Sequence, residues 1–345
     1  MKILLIGNFA PPFEEENLQN ITLFNKLVED GHECSVINIS SHPSEDKRFI
    51  NTESNIGYLL TLLRHSRMKD VIHFSTKGYL RVGLLKMMLS IFAARIFRAK
   101  SIITFYSEFF SILGQMRSPF GGTQTLFASF FLADKIIFAD KDTHDVAAMY
   151  KKRSNFELVP SFIYIPDSLP GRGTSLSEKL KDKKKVIVFT NIIQSSFLFE
   201  VLKKLLADFP LPEDTGIVIS SAQKSSSDLR QKIKEAVSGI NEGLIIIERD
   251  DIEAALTAFS RADIILRPLS CDGETFFEGF TISARKTFHK GNFICFPGSL
   301  VFVKEGAAVK SCANIINTML SDEPVPSPDL LTRDPYIKIR NIYEE

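Results

Sequence analysis

Short apolar runs alternate with segments of helical period along most of this 345-residue chain. In the first half, the runs Lys2–Gly7, Cys34–Ile39, Val71–Phe74 and Ser101–Phe105 are strand-like, and Asn17–Asp30 has apolar residues at helical spacing. Strands that alternate with helices build a parallel sheet with both faces covered. The sequence therefore predicts the α/β class, with a doubly wound parallel sheet in its first half.

A change in composition interrupts this pattern near the middle of the chain. Pro166–Lys185 is rich in Pro, Gly, Ser and charged residues and lacks an apolar period, and the alternation restarts at Val186–Thr190. We therefore predict two Rossmann-like domains, 1–165 and 186–325, that are joined by a linker and face each other across a cleft. The remaining tail, 326–345, could pack back on the first domain.

Composition and motifs exclude several classes of protein. The net charge of +1 gives no general affinity for nucleic acid, so no nucleic-acid partner is expected. The four cysteines form no CxxC pair and show no ligand spacing with the histidines, so we expect no metal and a cytoplasmic protein with reduced thiols. The dinucleotide motif GxGxxG, the P-loop motif and the hydrolase motif GxSxG are all absent, and no cofactor is expected.

The segment Ala262–Pro297 is the most informative place to look for a ligand site. An apolar strand precedes an acidic loop with Asp272, Glu274 and Glu278, and the next residues, Thr281–His289, fit an amphipathic helix before a second strand. In such a βαβ unit, the loop and the helix N-terminus lie in the ligand crevice of the sheet. An ordinary surface loop with acidic residues is the alternative.

The order of these elements resembles the family-4 glycosyltransferases of GT-B fold. MKILLIGNFAPP and the turn DGHECSV are similar to that family's first strand and its GHEVTV turn. In the second half, ADIILRP, the loop DGE and the stretch TISARK resemble the motifs ADIFLRP, DGD and SVREAL of bacterial polysaccharide glycosyltransferases. The resemblance implies a metal-free, retaining transfer of sugar from a nucleotide-sugar to a glycan or lipid-linked acceptor, in cell-surface polysaccharide synthesis.

The resemblance also assigns roles to individual residues. Glu278 occupies the first of the family's two Glu positions and is the catalytic candidate, whereas the second position, eight residues later, is Lys286. A Lys ammonium cannot accept hydrogen bonds from a ribose, but it can contact a phosphate. The expected donor-site residues are Asn8, Thr190, Asn191, Arg267, Asp272, Glu274, Gly279, Phe280, Thr281, Ile282, Arg285 and Lys286, and the acceptor-side candidates are His73, Tyr106 and Glu108.

Two departures from the family leave other functions open. One is Lys286 itself, and the other is the stretch Asn191–Ser195, which has no base where the family usually places an Arg and a Lys for the donor diphosphate. Both departures also fit a GT-B-like protein that has lost catalysis and acts as a binding or partner subunit. A nucleotide-sugar epimerase on the same fold is a third interpretation.

The long apolar segment Leu80–Arg98 is the one candidate for contact with a membrane. It carries Arg81, Lys86 and Arg95 among large apolar residues, and it falls short of an uninterrupted membrane span. Such a basic amphipathic helix can lie on an anionic surface, here the inner face of the membrane. The alternative is a helix buried against the sheet, with its charged groups directed outward.

Overall fold

Parallel strands form the centre of each half of the chain, and the described residues divide into two compact units. The first unit draws its described residues from 1–164 and 334–345, and the second from 165–318. The computed structural model describes residues 1–9, 15–40, 43–52, 54–76, 81–106, 122–139, 141–151, 153–165, 175–190, 202–203, 214–220, 244–247, 252–268, 281–286, 288–290, 293–296, 301–304, 314–316, 318 and 334–345. None of the helices in these ranges is long and apolar enough to cross a bilayer.

The first unit is built on a seven-stranded sheet in the order β3-β2-β1-β4-β5-β6-β7, in which all the pairings are parallel. Its strands are β1 (Lys2–Gly7), β2 (Glu33–Asn38), β3 (Phe49–Asn51), β4 (Val71–Thr76), β5 (Lys100–Phe105), β6 (Lys135–Phe138), β7 (Phe156–Leu158) and the separate β8 (Ser161–Tyr164). The helices of this stretch are α1 (Glu15–Glu29), α2 (Asn55–His65), α3 (Arg81–Phe97), α4 (Gly122–Leu132) and α5 (Lys141–Lys151). The α/β class predicted from the alternating pattern is confirmed.

Strand β1 is apolar at successive positions because both faces of the sheet are covered. Leu4 and Ile6 belong to one core cluster, to which α2, α3 and α4 contribute Tyr58, Ile91 and Leu126. The intervening Ile3 and Leu5 are equally buried. Continuous rather than alternating apolar residues are the pattern of a parallel strand that is buried on both faces. Helices α2, α3 and α4 therefore form one layer on the same face of the first sheet.

The second unit has a six-stranded sheet in the order β11-β10-β9-β12-β13-β16. Its elements are α6 (Ser175–Leu180), β9 (Lys185–Thr190), β10 (Thr215–Ser220), β11 (Leu244–Ile247), α7 (Ile252–Arg261), β12 (Ile264–Pro268), β13 (Thr281–Lys286), β14 (Phe288–Lys290), β15 (Phe293–Phe296) and β16 (Val301–Lys304). The strands from β11 to β12 are parallel, whereas β13 is antiparallel to both β12 and β16. This unit is thus Rossmann-like on one side and antiparallel on the other.

The helix predicted for Thr281–His289 is wrong, and with it the βαβ reading of Ala262–Pro297. Residues 281–286 form β13, which is paired along both edges, and β14 and β15 follow as an antiparallel pair. The physical reason is visible in the sequence TISARK, which begins with β-branched residues and alternates polar with apolar side chains. Pairing with two neighbouring strands outweighs the helix propensity of Ala, Arg and Lys in this stretch.

The predicted linker Pro166–Lys185 is partly regular. Helix α6 lies inside it, and Leu176 and Leu180, four residues apart, are both buried. The side chain of Arg261, at the end of α7, donates hydrogen bonds to the carbonyl oxygens of Leu180 and Lys183. This part of the segment is therefore fastened to the second unit, and its two apolar residues were too few to reveal a helical period.

The C-terminal helix α8 (Pro335–Glu344) belongs to the first unit. It begins at Asp334, whose carboxylate accepts hydrogen bonds from the backbone of the first turn, with Pro at the first helical position. Tyr336 donates to the carboxylate of Asp30 at 2.6 Å, and Lys338 donates to the carbonyl oxygen of Leu158 at 2.8 Å. Its buried side chains are Pro335, Tyr336, Ile339, Ile342 and Tyr343.

Two helices of the first unit are followed within three residues by a left-handed residue that is not glycine. Gly31 follows α1 with φ of 81°, where the absence of a Cβ makes this conformation easy. Arg98 follows α3 with φ of 58° and makes the same pair of closing hydrogen bonds as Gly31, and Met68 follows α2 with φ of 56°. A side chain at such a position is strained, so both residues destabilise the backbone relative to glycine.

We expect Arg98→Gly to raise the free energy of unfolding by about 0.5–1 kcal/mol, because it removes the Cβ from a left-handed position. Gly31→Ala is the matched reverse change and should lower it by about 1 kcal/mol. Urea unfolding of the full chain measures both. A destabilised Arg98→Gly variant would show that contacts of the Arg98 side chain outweigh the backbone strain.

Candidate functional site

The strand order of the first sheet reverses beside β1. From β1 the chain first adds β2 and β3 on one side, and then returns to add β4 to β7 on the other. In open α/β sheets, the crevice at the carboxyl ends of the strands on either side of such a reversal is the usual ligand site. Here it is bordered by Gly7, the last residue of β1, by Asn8 after it, and by Ser75 and Thr76 at the end of β4.

Asn20 of α1 connects two residues that the sequence singled out separately. Its amide nitrogen donates to the carbonyl oxygen of Asn8 at 2.8 Å, and its amide oxygen accepts from the hydroxyl of Tyr106 at 3.2 Å. Asn20 and Tyr106 are buried, and Asn8 is half-buried. The structure thus brings Asn8 and Tyr106 together, as expected for residues at the carboxyl ends of β1 and β5.

Sequence reasoning missed Asn20 and Asn38, the two asparagines whose hydrogen bonds hold the residues of this edge in place. Asn38, the last residue of β2, accepts at its side-chain oxygen from the backbone N–H of Phe9 and of Ser40, at 3.2 and 3.1 Å. Its amide nitrogen donates to the side chain of Asn51 at 2.9 Å. The available signal was the polar residue type: an Asn that closes an apolar strand or follows the first turn of a helix is a strong candidate for a hydrogen-bonding role.

The first turns of α1 are polar although they are buried. Glu16, Asn17, Gln19 and Asn20 are each at most 3% exposed. A carboxylate in the first turn of a helix already occupies the positive end of its dipole, so Glu16 disfavours a second anion there. Amide and hydroxyl groups, by contrast, pair well with neutral hydroxyls. The chemistry of this edge therefore suits a hydroxyl-rich ligand better than a phosphate.

Gly7 is required at the end of β1 by close approach. A Cβ built on this residue would lie 3.0 Å from the amide nitrogen of Asn20 and 3.2 Å from the Cβ of Ser75. The Asn20 amide is held by its two hydrogen bonds and the Ser75 Cβ by the backbone of β4, so neither atom yields easily. The glycine thus permits α1 to reach the edge of the sheet.

Gly7→Ala should lower the free energy of unfolding by about 1–3 kcal/mol, the cost of overpacking a well-filled site. Gly216→Ala is the control, since the nearest atoms there are the Cδ2 of Leu180 and the Cγ of Lys183, which are side-chain atoms beyond Cβ and not a hydrogen-bonded amide or a backbone-fixed Cβ. Urea unfolding of both variants provides the comparison. Equal losses in the two variants would mean that the Gly7 edge is no more rigid than an ordinary sheet glycine.

His73, expected on the acceptor side, is buried in the middle of β4. Its Nδ1 lies 2.5 Å from the hydroxyl of Tyr343 in α8, and its Nε2 lies 2.7 Å from the hydroxyl of Thr104 in β5. Burial lowers the pKa of the imidazole from 6.5 to about 3, so the ring is neutral. His73 thus fastens the C-terminal helix to the first sheet, and its acceptor-side role stays a prediction.

This neutral, buried histidine predicts a pH dependence of stability. Because the folded state has the lower pKa, the unfolded chain binds the proton first, and His73 makes stability fall as pH drops from 6.5 toward 3. The expected slope is about 1.4 kcal/mol per pH unit. His73→Gln, which cannot be protonated there, should remove that part of the slope, as measured by urea unfolding at several pH values.

Thr104→Val is the control for this experiment. It removes the hydroxyl that partners Nε2 but keeps the imidazole of His73. Its stability should be lower at every pH, while the slope below pH 6.5 remains as in the wild type. If His73→Gln keeps the wild-type slope, the imidazole is not the group that titrates.

The second sheet has its own reversal of strand order, between β9 and β12. Thr190, the last residue of β9, is fully buried, and its hydroxyl donates to the carbonyl oxygen of Leu266 in β12 at 3.4 Å. The carboxylate of Asp263, before β12, accepts from the backbone N–H of Val186 at 2.8 Å. These two hydrogen bonds connect the paired strands at opposite ends, and Thr190 lies at the end where a ligand is expected.

The register of β13 separates the donor-site candidates into two groups. Ile282 is opposite Pro268, at the carboxyl end of β12, and Arg267 is opposite Ser283. Lys286 is opposite Ile264, where β12 begins, with Arg285 next to it. Four residues of strand, about 13 Å, therefore separate the backbone of Lys286 from that of Ile282. The family resemblance implies a helix at Lys286, whereas the structure has β13 there, and the role of Lys286 at the donor stays a prediction.

Several predicted site residues lie outside the described ranges. They are Glu108, Asn191, Asp272, Glu274, Glu278, Gly279 and Phe280. Their assignments stay predictions. Among the side chains that the structure does describe, no three His, Cys, Asp or Glu residues come together as ligands for a metal ion.

No known protein-family profile matches this chain, and no curated protein sequence matches it. MnaA of S. aureus, solved with UDP, aligns with 77% of this chain and 74% of its own, at 14% identity and a TM-score of 0.48. An alpha-glucosyltransferase solved with UDP and a 13-mer DNA aligns with 76% of this chain and 71% of its own, at 10% identity and a TM-score of 0.47. A glycosyltransferase from Rickettsia africae aligns with 76% of this chain and 72% of its own, at 14% identity and a TM-score of 0.41. At such identities and TM-scores, these likenesses assign this chain to no family.

Proposed function

We propose that this chain is a glycosyltransferase that moves a sugar from a nucleotide-sugar to a glycan or lipid-linked acceptor. The observation that carries the proposal is the pair of Rossmann-like sheets, each with polar groups at the reversal of its strand order. Asn8, Asn20 and Tyr106 lie at the first reversal, and Thr190 lies at the second. Transfer between two substrates needs two binding sites, and each sheet offers one.

The chemistry of the two edges suggests how the substrates divide between them. Glu16 makes the first edge unfavourable for a phosphate, while the amides beside it favour hydroxyls, so this edge is assigned to the acceptor. Asn8, which the family resemblance assigned to the donor, is thereby assigned to the acceptor. The second edge is assigned to the nucleotide-sugar. There the backbone between β12 and β13 begins and ends at the carboxyl side of β12, at Pro268 and Thr281.

The catalytic candidate lies in the segment of the sequence that joins these two strands. Glu278 precedes Thr281, the first residue of β13, by three residues, and Asp272 follows Pro268, the last residue of β12, by four. We propose that Glu278 faces the transferred sugar and stabilises the positive charge that develops on it, with retention of configuration and no metal.

A binding or partner subunit without catalysis is the second candidate. The observation in its favour is β13, because a strand provides no helix N-terminus for the donor diphosphate where the family resemblance expects one. The sequence after Thr190 also has no basic residue to replace it. A role in cell-surface polysaccharide synthesis, a cytoplasmic location and peripheral membrane contact through Leu80–Arg98 belong to the first proposal.

Calorimetric titration with UDP, GDP and their common sugar conjugates tests the donor site. Thr190→Val removes the hydroxyl that joins β9 to β12, and we expect it to weaken donor binding by about 1 kcal/mol, because the strand ends that hold the donor lose a connecting hydrogen bond. Thr215→Val, the same change at the amino end of β10, should leave the affinity unchanged. Equal effects of the two substitutions would contradict the assigned edge.

Turnover then separates the two candidate functions. Glycosyl transfer is supported if the chain releases nucleoside diphosphate from the bound nucleotide-sugar. Glu278→Gln should abolish this release and retain the affinity for the donor. Binding without any release, in the presence of acceptor extracts, supports a partner subunit. If none of the nucleotides or nucleotide-sugars binds, the glycosyltransferase proposal is rejected.

A further inference from the structure

The outward face of α2 is apolar where a surface helix is normally polar. Tyr58 and Leu62 are buried against the sheet, but Ile56 and Leu60 are 76% and 64% exposed. Leu59 and Leu63 are exposed as well, which gives the spacing i, i+3, i+4, i+7 of one helical face. Single exposed apolar side chains are ordinary, but a continuous stripe of four marks an interaction surface.

Helix α3 extends this surface. It carries a second row of exposed apolar residues, Val82, Leu85, Phe92 and Ile96. The two helices lie side by side, since the hydroxyl of Tyr58 in α2 is 2.6 Å from that of Ser90 in α3 and also donates to the carbonyl oxygen of Lys86. Both helices belong to the layer on one face of the first sheet, so their outward rows form one surface, here called the α2–α3 face.

The charges on α2 and α3 themselves have one sign. Residues 54–69 and 81–100, which include both helices and their ends, contain no Asp and no Glu. The exposed bases are Arg64 and Arg67 at the end of α2, and Arg95 and Arg98 at the end of α3. An apolar surface bordered by arginines is complementary to a bilayer with anionic headgroups, which accepts both the apolar side chains and the positive charges.

Backbone strain at the ends of both helices is a separate observation in the same place. Met68, 79% exposed, and Arg98 adopt the left-handed conformation that Gly31 adopts after α1. Glycine would be the more stable choice at either position. The apolar side chain of Met68 and the basic side chain of Arg98 are thus exposed at the border of the α2–α3 face, although their backbone conformation lowers the stability of the fold.

We propose that the α2–α3 face docks on the surface of an anionic lipid bilayer. A second copy of this chain is a poorer occupant, because a symmetric contact would bring the same arginines against each other with no acidic partner in either helix. This docking deepens the membrane contact included in the proposed function, but it depends on the exposed residues of the two helices and not on glycosyl transfer. It adds α2, with its four exposed apolar residues, to the segment in which the sequence suggested membrane contact.

Co-sedimentation of the full chain with vesicles tests the proposal. We expect binding to vesicles of phosphatidylcholine with phosphatidylglycerol, weaker binding to phosphatidylcholine alone, and a decrease as salt screens the charges. The double variants Ile56→Ser/Leu60→Ser and Arg64→Gln/Arg67→Gln should each weaken binding by about tenfold or more. Met149→Ser, the same kind of change at an exposed apolar residue of α5, should not affect it.

One further variant excludes misfolding as the cause of lost binding. Arg98→Gly removes a charge from the α2–α3 face while relieving backbone strain, so its melting temperature should be no lower than that of the wild type. Its vesicle binding should nevertheless fall by about fivefold, the contribution of one arginine near an anionic surface.

Three results would overturn the proposal. The first is absence of binding to the anionic vesicles. The second is binding that neither double variant changes. The third is a chain that does not bind lipid but forms a dimer in sedimentation equilibrium. If Ile56→Ser/Leu60→Ser dissociates that dimer, the face is assigned to a second copy. None of these measurements involves a nucleotide, so their outcome is separate from that of the glycosyltransferase proposal.

Discussion

Strand β1 is hydrogen-bonded along both edges, to β2 on one side and to β4 on the other, and both neighbours run parallel to it. That pairing determines where the first unit can hold a ligand, since the chain leaves β1 to one side and returns on the other. Gly7 at its end leaves room for α1, and Asn20 of α1 then holds Asn8 and Tyr106. β9 has the equivalent place in the second sheet, and it ends at Thr190.

The parallel strands were predictable because each is a local run of apolar residues, and the family resemblance indicated Asn8, Thr190 and Tyr106 at the ends of such runs. The residues that organise the edge were not predictable in this way. Tyr106 and Asn20 are 86 residues apart, and the N–H of Phe9 meets the Asn38 side chain across 29 residues. Such contacts exist only after β1, β2 and β5 have been placed side by side. His73 is a further example, since its ring is hydrogen-bonded to Tyr343, 270 residues away.

Residues 281–286 show where a local pattern is ambiguous. TISARK contains good helix formers and also the alternation of a strand, and its pairing with β12 and β16 decides between them. The consequence for function is specific. Thr281 and Ile282 keep a place near the carboxyl end of β12, whereas Arg285 and Lys286 lie toward its amino end. A donor at the proposed second edge would therefore lie nearer to Thr281 and Ile282 than to Arg285 and Lys286.

Hydrogen–deuterium exchange of the full chain, with and without UDP-sugars and GDP-sugars, tests the location of the donor site most directly. The account predicts that a bound nucleotide-sugar slows exchange at the carboxyl ends of β9 and β12 and at the start of β13, around Thr190, Pro268 and Ile282. Slower exchange confined to the opposite end of the sheet, around Lys185 and Lys286, would contradict it.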